Sequence, residues 1–276
     1  MKTYGILGYP LGHSLSPQIH ERLFALSGVK AEYKIFEIPA EELKSDFEML
    51  KSTNGFNITI PHKISIIDMC DSLDDTAKRY TSVNCVDIKD GKVTGYNTDC
   101  VGFTLSIKAM GATLSEKTLM LGCGGVGRMI AIETVRSGGD ITIAVREEDI
   151  EVAKKMCEEL KNFRSDVKAD YCLLSEVKGE YALVVDATPV GMYPKTEFSP
   201  ISEETLGNIT TKHFFDVIYN PLETKLMSMM KAKGVKVSGG MDMLVWQAVA
   251  AHTIWDGSQY DEKDIKQLIE DMKELV

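Results

Sequence analysis

The sequence has few of the features that would place a protein in a membrane or on a nucleic acid. No apolar run approaches the roughly 20 residues that cross a bilayer. The opening stretch, Met1 to Pro10, is too short and too broken by glycine and proline for a signal peptide. The formal net charge is −10, so the basic excess that displaces counterions from phosphates is missing. We therefore expect a cytoplasmic protein with no membrane or nucleic-acid partner.

The chain also lacks any cysteine pattern of a metal site or a disulfide framework. Neither a C-x-x-C pair nor zinc-ligand spacing occurs among its six cysteines, Cys70, Cys85, Cys100, Cys123, Cys157 and Cys172. In a reducing compartment such residues are free thiols that pack as small hydrophobes. We expect neither a structural disulfide nor a bound metal.

What is present is an alternation of short β-rich runs and helical stretches, typical of an α/β fold with a parallel sheet covered by helices. At 276 residues the chain exceeds one hydrophobic core. The pattern restarts after residue 102, so we predict domains at 1–102 and 103–238. Two C-terminal helices within 239–276 are expected to pack back on the first domain.

Several local boundaries can be predicted from turn and capping residues. Asp90-Gly91 marks a tight hairpin turn. Ser16-Pro17 is typical of an N-cap followed by proline in the first helical turn, and Pro39 is predicted to begin another helix.

A glycine-rich turn carries the first functional signal. Gly122, Gly124 and Gly127 form G-x-G-x-x-G between a short apolar strand and a helix, which is the context that dinucleotide binding requires. Gly122 permits the tight turn, Gly124 lets the backbone approach a pyrophosphate, and Gly127 lets helix and strand pack closely. The alternative is a glycine-rich connection that binds nothing.

The next strand ends in Val145-Arg146-Glu147-Glu148, where nicotinamide dinucleotides are distinguished. Arg146 favours the 2′-phosphate of NADP through a charge-assisted contact. Glu147 and Glu148 act against it because a carboxylate repels a phosphate, so NAD stays possible. All three could equally be solvated residues at a helix start.

Two hydroxyl side chains follow the first strand, in a segment where a loop without functional side chains would be expected. Ser14 and Ser16 lie on one side of an extended segment just before a helix N-terminus, a combination that suits a small carboxylate. Ser16 alone is also explained as an ordinary helix cap.

Two further junctions place polar side chains at strand or helix ends. Asn57, Thr59 and Lys63 lie at or beyond the carboxyl end of a strand, where open α/β sheets bind ligands. Asp99 lies near a helix start. A solvated lysine and an acid favourable to the helix dipole explain Lys63 and Asp99 equally well. For the neighbouring His62 we favour a structural role.

Taken together, these segments resemble the shikimate dehydrogenase family over nearly the whole chain. The resemblance rests on the ordered motifs G-H-S-L-S-P, N-I-T-I-P-H-K, S-V-N-C, G-Y-N-T-D-C-V-G, G-C-G-G-V-G-R, D-A-T-P-V-G-M, F-D-V-I-Y-N-P-L-E-T and M-L-V-W-Q-A. Each is weak alone, but their order is specific. The resemblance implies a substrate domain and a Rossmann-type dinucleotide domain with a cleft between them. We expect a monomer or a homodimer, between which the sequence does not decide.

The resemblance also implies the reversible NADP-dependent reduction of 3-dehydroshikimate to shikimate, with Lys63 and Asp99 as the catalytic pair. The substrate carboxylate and hydroxyls would contact Ser14, Ser16, Thr59, Asn84 and Gln247, with Tyr219 between the domains. The cofactor would contact Gly122, Cys123, Gly124, Gly125, Val126, Arg146, Thr188, Val217 and Gly240.

Some positions depart from the family pattern. The usual Asn-Arg-Thr at the cofactor strand is Val145-Arg146-Glu147, which removes two polar groups from the phosphate side. Cys85 stands where threonine is usual and Thr81 where glycine is usual. A quinate/shikimate dehydrogenase that uses NAD or both cofactors is therefore an alternative. A catalytically silent dinucleotide sensor is an alternative of another class, and a folate-type methylene dehydrogenase would share the architecture without the serine pair.

Overall fold

The computed structural model of the protein describes residues 1–12 and 14–276. The chain divides into two compact units, the first formed by Met1–Gly102 with Leu244–Leu275, the second by Phe103–Met243 with Val276. The chain thus leaves the first unit and returns to it near its end. Among the described residues, no helix is both long and apolar enough to cross a membrane.

The first unit, called here the N-unit, is built on a mixed sheet with the strand order β2-β1-β3-β5-β6-β4. Its strands are β1 (Lys2–Gly8), β2 (Ala31–Glu37), β3 (Gly55–Ile58), β4 (Ser72–Leu73), β5 (Cys85–Lys89) and β6 (Lys92–Tyr96). Its helices are α1 (Ser16–Ser27), α2 (Leu43–Lys51), α3 (Asp75–Tyr80), the start of α4 (Asp99–Ala109), most of α9 (Gly240–Asp256) and α10 (Glu262–Lys273).

The predicted hairpin is confirmed, since β5 and β6 pair antiparallel through Asp90 and Gly91, whose φ angles are +53° and +75°. Two expectations for helix starts are wrong. α1 begins at Ser16 with Leu15 at the N-cap, and α2 begins at Leu43 after a turn rather than at Pro39. The N-unit sheet is not wholly parallel either, because this hairpin reverses the chain and sets β5 antiparallel to β3.

The second unit, called here the G-unit, contains the fully parallel sheet that the alternating pattern predicts, in the order β12-β11-β10-β7-β8-β9. Its strands are β7 (Thr118–Leu121), β8 (Ile141–Val145), β9 (Ala169–Leu173), β10 (Gly179–Asp186), β11 (Ile209–Asp216) and β12 (Lys236–Ser238). The helices are α5 (Gly125–Arg136), α6 (Ile150–Phe163), α7 (Glu203–Gly207) and α8 (Lys225–Ala232).

Buried apolar strand residues form the core of each unit. In the N-unit one cluster is centred on Leu7, Phe56 and Val86, all fully buried. In the G-unit the corresponding residues include Leu119 and Phe214. Because the strands are held by these cores, the residues just past their carboxyl ends are held in fixed positions, which is where ligands bind in open α/β sheets.

Candidate active site

An ammonium and a carboxylate meet in the N-unit at the two positions predicted to be catalytic. Lys63 Nζ donates to Asp99 Oδ2 at 2.6 Å. The side chains are 25% and 15% exposed, respectively. Such a charge-assisted bond is strong, yet both groups keep access to solvent and hence to a small ligand.

The backbone around β3 and β5 fixes where Lys63 stands. Its carbonyl oxygen accepts from the N–H of Val83 at 2.8 Å, and the N–H of Ile58 donates to the carbonyl oxygen of Asn84 at 2.8 Å. These two bonds hold Lys63, which follows β3, and Asn84, which precedes β5, at the same end of this strand pair.

Asn84, which the resemblance placed in the substrate site, is a buried hub for the Asp99 carboxylate. Its Nδ2 donates to Asp99 Oδ1 at 2.8 Å and to Thr98 Oγ1 at 3.0 Å. Its Oδ1 accepts from the backbone N–H of Thr98 at 2.6 Å. The two oxygens of Asp99 are therefore held from opposite sides, one by an amide and one by the Lys63 ammonium.

Gln247 on α9 joins this network through a residue that the sequence did not identify. Thr98 Oγ1 lies 3.4 Å from Gln247 Oε1, and Gln247 Nε2 donates to the carbonyl oxygen of Leu244 at 2.8 Å. Thr98 is buried. Its signal was present in Asn97-Thr98-Asp99, a run of short polar residues at a strand-to-helix junction, where such side chains bond nearby backbone.

The segment with Ser14 and Ser16 differs from the helix-cap expectation. Ser14 Oγ accepts from the N–H of Ser16 at 3.3 Å, and α1 has no side-chain cap at Leu15. Ser16 is buried. The capping interpretation of Ser16 is wrong because Ser16 already lies inside α1, with Leu15 at the N-cap and no side-chain cap bond. The neighbouring His13 lies outside the described residues.

Thr59 and His62 follow β3 in the same segment. The N–H of Thr59 donates to the carbonyl oxygen of Leu7 at 2.8 Å, which leaves its half-buried side chain beside Gly8. His62 is fully buried with Nε2 2.6 Å from the carbonyl oxygen of Ile38, so its predicted structural role is confirmed.

In the G-unit the glycine-rich turn joins β7 to α5 as the motif requires. Gly122 has a φ of +89°, and a Cβ there would lie 2.8 Å from Thr188 Cγ2. A Cβ on Gly127 would lie 3.1 Å from the carbonyl oxygen of Gly122. Only glycine meets both the dihedral and the close helix–strand packing.

The space above this turn is open. A Cβ built on Gly124 or Gly125 would meet no described atom within 4 Å. α5 begins at Gly125, and its N-cap residue is Gly124, which has no side chain. No side chain therefore covers these two positions at the start of α5, and the first N–H groups of a helix, which lack partners within it, are where a pyrophosphate binds. The residues present fit a dinucleotide.

Three predicted cofactor residues gather at the ends of β10 and β11 beside the turn. The N–H of Val217 donates to the carbonyl oxygen of Asp186 at 3.1 Å. A Cβ on Gly240 would lie 2.1 Å from the carbonyl oxygen of Val217, and Thr188 touches Gly122. Tyr219, the predicted substrate residue of this unit, is half-buried, and burial raises the pKa of its phenol.

Arg146 lies at the end of β8, also near the turn. Burial raises the pKa of the half-buried Cys123 thiol; the charge of Asp149 raises it further and that of Arg146 lowers it. The N–H of Gly122 donates to the carbonyl oxygen of Ala144 at 2.8 Å, which sets the end of β8 beside the turn. The Arg146 guanidinium is exposed and pairs with Glu148 and Asp149.

Two buried acids under this region were not anticipated. Asp186 and Asp216 are register partners at the ends of β10 and β11, and both are fully buried. Burial raises the pKa of Asp216 to about 6, and burial together with the Asp216 charge raises that of Asp186 well above its usual range. The signal in the sequence was an acid ending each of two apolar strands.

Each unit therefore has its own chemical capacity. The N-unit presents an ammonium and a carboxylate at bonding distance, which can bind a hydroxyl or carbonyl oxygen and move a proton to or from it. The G-unit presents an open helix N-terminus behind a glycine turn, which can bind a diphosphate.

Comparison with known proteins assigns the family. The family model for the shikimate dehydrogenase substrate-binding domain matches residues 6–86. A shikimate dehydrogenase (NADP(+)) of Bacillus cereus (strain ATCC 10987 / NRS 248) is 35% identical over 272 residues, covering 97% of each chain.

Solved structures agree across both units. A shikimate dehydrogenase in complex with NADP+ has a TM-score of 0.85 at 34% identity, covering 99% of this chain and 96% of that one. The Thermus thermophilus enzyme in complex with NADP(H) and shikimate has a TM-score of 0.85 at 29% identity, covering 98% and 99%. The α/β two-domain fold and the family that the motifs predicted are confirmed: this chain belongs to the shikimate dehydrogenase family.

Proposed function

We propose that this protein catalyses the reversible reduction of 3-dehydroshikimate to shikimate with NADP(H). The observation that carries the proposal is the 2.6 Å bond between Lys63 Nζ and Asp99 Oδ2 in a half-buried position. A lysine kept only for solubility would not be held by a carboxylate that a buried asparagine also orients. The activity belongs to the aromatic branch of biosynthesis that yields chorismate.

The residues of the N-unit would bind the substrate. Ser14 and Ser16 lie at the N-terminus of α1, where hydroxyls and helix N–H groups favour a carboxylate. Thr59, Asn84 and Gln247 supply polar side chains for ring hydroxyls, and Asn84 and Gln247 belong to the same bonded network as Asp99. Tyr219 would contribute from the G-unit.

Lys63 and Asp99 would manage the proton. NADPH, when bound, supplies the hydride. As carbonyl oxygen becomes alkoxide, the Lys63 ammonium stabilises the growing negative charge and donates the proton. Asp99 holds that ammonium in place, and in the oxidising direction the pair takes the proton back from the substrate hydroxyl. Because the two groups are coupled, a pH profile would report the pair rather than either residue.

The G-unit would hold the cofactor. The open turn at Gly124 and Gly125 would receive the pyrophosphate on the N–H groups of α5 together with Cys123 and Val126. Thr188, Val217 and Gly240 would line the nicotinamide side, and Arg146 would meet the 2′-phosphate.

One matrix of initial rates tests the function. Shikimate and quinate are each assayed with NADP+ and NAD+, using the full chain. We expect shikimate with NADP+ to give the highest kcat/KM. A preference for quinate would contradict the substrate assignment. NADP+ binding without turnover of either acid would identify a silent dinucleotide sensor.

The setting of the enzyme follows from the same proposal. All six cysteines are free thiols, as in proteins of a reducing compartment. We therefore place it in the cytoplasm, as a monomer or a homodimer, which light scattering of the purified chain would distinguish.

A further inference from the structure

The Arg146 guanidinium is already held by carboxylates of its own chain. Its Nε and Nη2 donate to Asp149 Oδ2 at 3.0 and 2.8 Å. Its Nη1 lies 3.0 Å from Glu148 Oε1. Each of the three guanidinium nitrogens therefore has an acidic oxygen within bonding distance.

Asp149 makes this contact in place of the one its position favours. It stands at the N-cap of α6, where an aspartate normally accepts a hydrogen bond from a helix N–H, but no side-chain cap bond forms. The 3₁₀ turn over Glu147–Asp149 closes with the N–H of Asp149 on the carbonyl oxygen of Arg146, at 3.0 Å. This short loop brings the carboxylate back onto the arginine.

A 2′-phosphate arriving at Arg146 must therefore compete with these acids. It needs the N–H groups that Asp149 occupies, and it brings up to two negative charges next to a fixed one. NAD lacks the 2′-phosphate, so it neither competes with Asp149 for these N–H groups nor brings the additional negative charges. Since Arg146 is 63% exposed, water and salt screen the repulsion without removing it.

We propose that Asp149, assisted by Glu148, is a specificity-determining residue that weakens the 2′-phosphate contact of Arg146 and so reduces the preference for NADP over NAD. The inference rests on the proposed function for the cofactor site, but it concerns the ratio of two affinities rather than the reaction. Asp149 would oppose the preference for NADP that Arg146 favours.

Calorimetric binding of NADP+ and NAD+ to the full chain tests the proposal. For Asp149→Asn we expect NADP+ to bind about fivefold more tightly. This is the change in affinity expected when one negative charge close to a phosphate is removed in a mostly aqueous setting. NAD+ affinity should change less than about twofold, and a tenfold rise in salt should shrink the NADP+ gain. Glu148→Gln should act in the same direction and more weakly, since its side chain is 63% exposed.

Glu151→Gln is the matched control, because Glu151 is an exposed acid in the first turn of the same helix. It should leave the ratio of the two affinities nearly unchanged. An Asp149→Asn variant with unchanged or weaker NADP+ binding would overturn the proposal, since the acid would then be a spectator or a positioner of Arg146. Wild-type chain that binds both dinucleotides but turns over no substrate would instead refute the proposed function and leave this test valid.

Discussion

The contacts of Lys63 bear on the catalytic role proposed for it. A lysine side chain loses conformational entropy when it is held in one position, and an exposed ion pair offsets little of that free-energy cost. Here the partner carboxylate is itself fixed by Asn84 Nδ2 at 2.8 Å, and Asn84 is buried. The ammonium therefore bonds to a carboxylate that is itself held, which would preorganise it for the negative charge that develops in the proposed reaction.

Lys63→Ala should lower kcat far more than it raises KM, because the ammonium acts on charge that appears only during reaction. General acid–base groups of this kind contribute roughly 100- to 10,000-fold. Steady-state kinetics with shikimate and NADP+ measure both parameters. The control is Lys89→Ala, since Lys89 also pairs with an aspartate, Asp87 at 2.8 Å, elsewhere in the N-unit. Near-normal turnover of Lys63→Ala would contradict the assignment.

Sequence alone could identify these residues but not their contacts. Lys63 and Asp99 lie 36 positions apart, and only the register of β3, β5 and β6 brings them together. Side-chain direction was the harder part. Ser16 lies inside α1 and does not cap it, and Asp149 turns to Arg146 instead of capping α6. Both outcomes depend on competition among several oxygens for few N–H groups, which residue type does not decide.

At the scale of elements, β10 and β11 end in matching turns. Asp186 Oδ1 accepts from the N–H of Thr188 at 2.8 Å, and Asp216 Oδ1 accepts from the N–H of Ile218 at 2.9 Å. Asp216 Oδ2 also accepts from Thr224 Oγ1 at 2.7 Å, whereas Asp186 Oδ2 has no partner among the described residues. These bonds fix the loops that carry the predicted nicotinamide-side residues, at the cost of burying two acids side by side.

Asp186→Asn should stabilise the protein at alkaline pH. An acid whose folded pKa is raised binds a proton more tightly when folded, so its contribution to stability is lost as pH rises through that pKa. Asparagine keeps the oxygen for Thr188 and carries no charge. We expect a gain of about 1–3 kcal/mol in the free energy of unfolding at pH 8, on the scale of one or two pKa units of relieved repulsion, because the variant removes a buried charge beside Asp216.

Urea unfolding at pH 5 and pH 8 measures this effect, and the gain should be smaller at pH 5, where the wild-type acids hold more protons. Asp170→Asn on β9 is the control, because Asp170 is exposed. A variant less stable than wild type at both pH values would mean that the carboxylate charge itself is required.

The helices and strands predicted correctly are those with a long periodic pattern of apolar residues or with clear turn residues at their ends. The hairpin at Asp90 and Gly91 and the two C-terminal helices follow directly from turn chemistry and helical period. The short strands β4, β9 and β12 have no such signal, since two to five residues carry little periodicity. The mixed sheet of the N-unit was also missed, because the βαβ pattern that predicts parallel strands is interrupted there by the hairpin.

On the scale of the whole molecule, a buried histidine pair links the two ends of the chain within the N-unit. His20 Nδ1 on α1 lies 3.0 Å from His252 Nε2 on α9, and His252 Nδ1 lies 2.7 Å from the Tyr260 hydroxyl. His20 also stacks on Tyr33 with ring centroids 4.2 Å apart. Burial keeps both imidazoles neutral, lowering the pKa of His252 to about 4 and that of His20 well below its usual range.

These histidines should make the protein sensitive to acid. The unfolded chain takes up a proton near pH 6.5 and the folded chain only near pH 4 at His252, so stability is full above pH 6.5 and falls between these values. For His252 the total loss is about 3 kcal/mol. His252→Asn should be less stable than wild type at pH 7.5 but lose less on acidification to pH 5, measured by urea unfolding.

His213→Asn provides the comparison, since His213 is half-buried on β11 in the other unit. The comparison between variants is needed because Asp186 and Asp216 act with the opposite sign in the same pH range. Equal acid sensitivity in wild type and His252→Asn would show that the pair does not control it.

The N-unit is assembled from two separate stretches of chain, which leads to a prediction about fragments. Trp255 on α9 stacks on Tyr4 of β1 at 4.4 Å between ring centroids and donates Nε1 to the carbonyl oxygen of Val86 at 2.9 Å. A fragment of residues 1–102 lacks Trp255 and all of α10, so the apolar face around Tyr4 and Phe24 loses its cover.

Residues 1–102 alone should therefore unfold without a cooperative transition and bind a hydrophobic dye. Joining 1–102 to 244–276 through a flexible linker should restore cooperative unfolding, because it returns Trp255 to the cluster with Tyr4 and Ala251. Residues 103–243 should unfold cooperatively without help, since their core cluster runs from Leu119 to Val235 in one stretch. Circular dichroism during urea titration separates these cases. A cooperative transition in residues 1–102 alone would show that the returning helices only cover a unit that is already folded.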